Sequence, residues 1–438
     1  MTMNRKVPAP LPPRKPPAPR LLLASAFMFA ARSPFSSIAR ALSLRALLAA
    51  AAFALPLPAL AAPPEDARTI LQRARGQQAL TNYEEAVTNY EAFAQAYPAD
   101  AEAPSALKEA LVIRIALGQL DLATRDAELF HRNYGVKQPG EAATVLVGLA
   151  AAHVERDDFA TGKKLLDSGM AFIDRAAPLD KRILAHTLLG RAWLKLGDSK
   201  RAEDEFTKVR ALWKDPAAAL KTLESQGADN RRIAQALTSV GEAHFFFAEQ
   251  KRVLADSIAF PAYTGRGDRD DVHKHLNTKV VDWVKRKRPA IELAEKEYLR
   301  IVEIQPAAPP RWVIAAASRV GQMWAHFVSD FRAAPLPKEW MKNGPVPGSS
   351  MTYEELRKTY YQAIDEAAEP QKRAARGAFR TCLSYAVKFQ YFDAHAQTCV
   401  DWLTRFDRAA FPRIDELAPR WGLIAAPGLS AEPLPEAK

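Results

Sequence analysis

Between Leu189 and Phe206 the chain sets large, small and aromatic residues at spacings that suit two close-packed antiparallel helices. The run reads Leu189-Gly190-x-x-Trp193-x-x-x-Gly197-x-x-x-x-Ala202-x-x-x-Phe206. Gly190 and Ala202 lack bulk, so the helices can approach, and Trp193 and Phe206 are placed to fill the space that remains. Gly197 stands where the first helix must stop and the chain must turn. One such hairpin cannot bury its own apolar face, so copies should stack beside it.

The copies are present upstream. Asn82-Tyr83-Glu84-Glu85-Ala86-x-x-x-Tyr90, followed by Pro98, supplies the small and aromatic positions of one repeat. Gly118-x-x-x-x-Ala123 supplies the turn and the small residue of the next, but Ala127 stands where an aromatic is expected. Phe159-x-x-Gly162-x-x-x-Leu166 makes a third, with Leu149-Ala150-x-x-His153 as its first helix. Ala86, Ala123, Gly162 and Ala202 are separated by 37, 39 and 40 positions, within the range of helical repeats. Sustained apolar heptads, which a coiled coil would need, are missing.

Beyond residue 215 the register loosens. Val240-Gly241-x-x-His244 resembles another first helix, and a basic, His-containing stretch from 259 to 288 then reads as a polar insert. The pattern returns at Ala294-x-x-x-Tyr298 with Pro306 behind it. Trp312 to Phe331 is apolar on most sides, as for a helix packed on both flanks. The loop from Ala334 to Ser350 is too rich in proline and glycine for a helix. Thr352-x-x-Glu355 predicts a capping box opening a helix that ends before Pro370. A last hairpin carries Cys382 and Tyr385 on its first helix, and Ala394 and Cys399 on its second.

The formal charge of +11 suggests nucleic acid only until it is divided along the chain. Residues 1–61 hold eight Lys and Arg and no acids, which leaves 53 basic against 50 acidic residues in the rest. Lys285-Arg286-Lys287-Arg288 is the single basic run, and it reads as a solvated turn, so nucleic-acid binding is not expected. The leader has the layout of an export signal: Arg45, an apolar run from Ala46 to Leu57, and Ala59-Leu60-Ala61 as a small-x-small site, with cleavage near Ala61/Ala62. Met28 is an alternative start to Met1, and an uncut N-terminal anchor is the competing reading. The run of twelve is too short to span a bilayer, so no transmembrane span is expected in the mature chain.

Export changes the reading of the two cysteines. In an oxidising compartment Cys382 and Cys399, on the two helices of one hairpin, are expected to form a disulfide; two free buried thiols are the alternative. Two cysteines with no paired His fall short of a zinc site. No catalytic or cofactor motif is found: there is no phosphate-cradling loop, nucleophile elbow or HExxH, so no enzyme, cofactor or metal is expected. Asp270-Asp271-Val272-His273-Lys274-His275 is read as part of the insert, and Trp312, Trp324, Phe327 and Phe331 as core. Trp340 lies in the Pro-rich loop, where an aromatic has little core to enter, and is a candidate partner contact.

These spacings resemble the tetratricopeptide repeat (TPR), strongest over 68–215 and patchy to about 408. Residues 259–405, including Pro309-Pro310-Arg311-Trp312-Val313 and Lys388-Phe389-Gln390-Tyr391-Phe392, are similar to a region of exported deltaproteobacterial, particularly myxobacterial, TPR proteins, some of them parts of the gliding-motility envelope complex. The resemblance implies an all-α solenoid of stacked hairpins with a C-terminal helical extension. It also implies a periplasmic or secreted adaptor that binds other envelope proteins without catalysis. The divisions expected are a leader (1–61), N-terminal repeats (62–215), a degenerate repeat (216–258), the insert (259–288), C-terminal helical repeats (289–408) and a Pro-rich tail (409–438). Lys108, Arg191 and Lys195, on first helices, are expected to face the groove and favour an acidic segment. The alternative is a peptidoglycan- or polysaccharide-binding protein with its cleft between the insert and the Trp-rich helix; membrane-surface contact through Lys285–Arg288 is a third reading.

Overall fold

The computed structural model describes residues 66–412, so the leader, the cleavage site and most of the Pro-rich tail lie outside the described residues. Four hairpins come first: α1 (Ala67–Ala79) with α2 (Tyr83–Ala96), α3 (Ala103–Ala116) with α4 (Leu120–Tyr134), α5 (Pro139–Glu155) with α6 (Phe159–Ala176), and α7 (Leu179–Lys195) with α8 (Ser199–Leu212). All four turn alike. A residue of positive φ (Thr81, Gly118, Asp157 or Gly197) ends the first helix. The next N–H then closes on a carbonyl five residues back: Asn82 to Gln77, Gln119 to Arg114, Asp158 to His153 and Asp198 to Trp193.

Those four residues also cap the second helices. Each cap's carbonyl accepts from the N–H of Ala86, Ala123, Gly162 or Ala202, so the small residues hold equivalent places one turn into the helix. The three alanines are fully buried, and a Cβ on Gly162 would lie 2.5 Å from the Val154 side chain. Gly190 plays the matching part on a first helix, where a Cβ would meet the Phe206 ring at 3.2 Å. Trp193 differs from expectation: it is only half-buried, held between Lys163 and Arg201, whose charges lie 4.2 and 4.4 Å from its ring.

The rest of the chain continues in helices: α9 (Pro216–Ser225), α10 (Asn230–Asp256), α11 (Arg269–His275), α12 (Val281–Val302), α13 (Pro310–Arg332), α14 (Tyr353–Ala367), α15 (Glu369–Phe389) and α16 (Ala394–Phe406). The first helices form one continuous layer, with α3 against α5, α5 against α7, α7 against α10, and α10 against α13. The largest apolar core runs beneath the later helices, from Leu179 to Leu403.

The segment expected as a polar insert is in large part a packed element. A π-helical stretch, Leu276–Val280, joins α11 to α12, so the chain is helical from 269 to 302. Trp283 is fully buried, and Lys287 of the basic run is buried with its Nζ donating to the Ala255 carbonyl at 2.9 Å. This corrects the solvated turn: the ammonium closes the last turn of α10, where carbonyls lack partners. The 334–350 loop holds a short 3₁₀ turn, Lys338–Met341, and Thr352 and Glu355 form both halves of the capping box that opens α14.

Candidate functional site

The first-helix layer was expected to offer free cations, and the structure uses most of them internally. Lys108 on α3 donates to Glu141 on α5 at 2.8 Å. Arg191 on α7 grips Glu242 on α10 with two bonds, at 2.8 and 2.6 Å, which holds its guanidinium above its ordinary pKa. Arg232 binds Asp180 across the same pair of helices at 2.6 Å. These charges tie neighbouring repeats to one another, so an acidic partner would have to displace a carboxylate already in place. Lys195 is exposed and makes no ion pair among the described residues.

Trp340 is likewise occupied. Its ring meets Tyr360 of α14 edge-on, with centroids 5.8 Å apart, and Arg357 of α14 donates to its carbonyl. α14 gives the loop a small core of its own, which the proline-rich sequence did not announce. Cys382 and Cys399 are joined in a disulfide between α15 and α16, with Cα atoms 6.4 Å apart and both side chains fully buried. Ala394, named with them, is exposed, and Ala396 takes the buried place beside α15.

A site lies beside Ala127, which stands where an aromatic was expected. In the other hairpins its counterpart is Tyr90, Leu166 or Phe206, all buried. Phe206 shows what the aromatic does there: it lies on Gly190 of its own first helix and meets Phe246 of α10, the next first helix, at 4.7 Å between centroids. Ala127 is short, Leu111 stands where Gly190 lies opposite Phe206, and a cleft of about 600 Å³ lies between α4, α5 and α6. Val145, Leu146 and Leu149 of α5 and Leu165 and Phe172 of α6 line it, with His131 and Arg132 of α4 at its polar edge. The His131 ring touches Phe172 edge-on at 5.5 Å, joining α4 to α6. An apolar cleft with a few polar groups at its rim is suited to gripping aliphatic or aromatic side chains. Ala127 was the one legible sign; the spacing singled out none of Val145, Leu146, Leu165 and Phe172.

Two groups of buried titratable side chains on later helices serve packing. His186 is held between Asp174 at 2.9 Å and Glu205 at 2.6 Å, which joins α6, α7 and α8. Glu249 of α10 binds Arg252 at 2.8 Å and Arg319 of α13 at 3.2 Å, and accepts from the Tyr298 hydroxyl of α12. Burial first, then the Glu249 charge, pushes the Tyr298 hydroxyl far up. Among the described residues no group of three His, Cys, Asp or Glu side chains is arranged to hold a metal ion. The tryptophans that would line a carbohydrate cleft are committed elsewhere: Trp283 stacks on Phe327 at 4.9 Å, and Trp324 donates to Glu295 at 3.0 Å.

The stacked hairpins make the chain a tetratricopeptide-like α-solenoid. No family model matches the chain, and no curated protein matches it. Among solved structures it is similar to the TPR domain of P58(IPK), at 11% identity over 80% of this chain and 100% of that one. The TM-score is 0.16, so the fold rests on the hairpins themselves and not on that match. No helix among the described residues is long and apolar enough to cross a membrane.

Proposed function

We propose that this chain is an exported adaptor of a cell-envelope complex, and that the cleft beside Ala127 receives apolar side chains of a partner protein. The observation that carries the reading is the cleft itself, lined by apolar side chains of α5 and α6 beside the short side chain of Ala127. The disulfide supports an oxidising compartment, because a stable Cys382–Cys399 bond suits the periplasm better than the cytosol. Together with the export-like leader it supports periplasmic residence, and the resemblance to exported motility proteins makes the gliding machinery one complex such an adaptor would serve. Lys108 and Arg191 pair with Glu141 and Glu242 of the next repeats, and Lys195 stays on the surface, so this reading places the main contact in the cleft.

The experiment is a photo-cross-linker placed at Ser168, on the rim of the cleft, in living cells. The reading predicts a discrete protein adduct in the periplasmic fraction. Failure to cross-link any protein, together with retention on purified peptidoglycan sacculi, would overturn it in favour of wall binding.

A further inference from the structure

A different surface draws attention at the far end of the solenoid. α15 stops at Phe389 because Gln390 takes a left-handed conformation, φ 51°, and Tyr391 closes the turn on the Ala386 carbonyl. Around this turn three large apolar side chains face solvent: Val387 at 59%, Phe389 at 43% and Phe392 at 63% exposure. Large apolar side chains grouped at one solvent-facing turn mark a contact surface more often than scattered ones do.

Two exposed cations and one acid lie about this turn. Lys388 lies 5.1 Å from the Phe389 ring and is itself exposed. Arg311, exposed on the first turn of α13, lies over Trp312; Trp312 and His395 both pack on Phe245, which brings the starts of α13 and α16 to the same end. The acid of the turn, Asp393, is used as the cap of α16 and accepts from the N–H groups of His395 and Ala396 at 2.9 and 3.0 Å.

We propose that the α15–α16 turn is a membrane-surface contact that docks on an anionic lipid bilayer, with Phe389 and Phe392 entering the interface and Lys388 and Arg311 meeting the headgroups. Aromatic side chains beside cations suit the boundary between headgroup and acyl chain. A second copy of the same face would bring like charges together, which disfavours a dimer. The basic run Lys285–Arg288 is a weaker site for lipid, since Lys287 is buried and Arg286 and Arg288 pair with Asp282 and Glu292.

The test is flotation of the purified full chain with equimolar phosphatidylglycerol–phosphatidylcholine vesicles, and with phosphatidylcholine alone. Binding to the anionic vesicles that fades with added salt is expected. The double variant Phe389→Ser, Phe392→Ser should bind at least about tenfold more weakly with unchanged circular dichroism, and Lys388→Glu should weaken it too. No flotation would overturn the proposal and leave the patch to a protein partner. Equal binding to neutral vesicles, or wild-type binding by the double variant, would overturn it as well.

Discussion

Asp126 is nearly fully buried on α4, and its Oδ2 has no hydrogen-bond partner. Burial, with the Glu91 carboxylate beside it, pushes its pKa up to about 7 against the opposing charge of Arg114. The folded state therefore holds a proton that the unfolded chain, with an ordinary value of 3.8, has released. The group's contribution to stability is complete below about pH 4 and is lost as pH rises towards 7. Asp126→Asn should flatten that fall, so that its thermal midpoint exceeds the wild type's at pH 8 and not at pH 4. Equal slopes for the two proteins across that range would contradict the assignment. At this scale the sequence was readable where sterics decide, as at Gly190 and Ala202, because a side chain's volume is intrinsic to it. It put Arg191 in the groove and gave no sign of its partner Glu242, 51 residues further along. A pairing between repeats leaves no local trace.

Among elements, α12 was the hardest to read and is physically the most instructive. Its buried stripe, Trp283, Lys287, Ile291, Ala294, Tyr298 and Ile301, keeps helical spacing throughout. One place in that stripe is taken by a lysine, and the basic run around it read as a solvated turn; Pro289 stands inside the helix. The long stem of Lys287 packs as an aliphatic group while its ammonium reaches the end of α10. α14 was legible because a capping box states its start in four residues. α16 is a short helix resting on α13 and α15, so the Cys382–Cys399 bond should matter most there. Reducing it should remove about 3 kcal/mol in the chain-entropy model, and hydrogen exchange should rise in α16 before it rises in α1–α8. Unchanged exchange in α16 after reduction would show that packing alone holds the hairpin.

For the whole molecule, the recurrence of small residues fixed the number and direction of the early hairpins, since each needs its neighbour to cover an apolar face. The later helices drift in length and stagger: Pro309 and Trp312 abut Gly241, so α13 begins partway along the 27-residue α10. Such shifts follow from packing between non-adjacent segments, which the spacing of one sequence does not record. The binding cleft belongs to this scale as well. Three helices surround it, and Ala127 is the small side chain on its α4 side.

The most direct measurement is Ala127→Phe in the full chain, with helicity, thermal midpoint and cross-linking from Ser168 read together. A ring at 127 should project into the cleft, leaving helicity unchanged, keeping a cooperative thermal transition, and abolishing the adduct. A folded variant that still yields the same adduct would mean that the partner binds elsewhere.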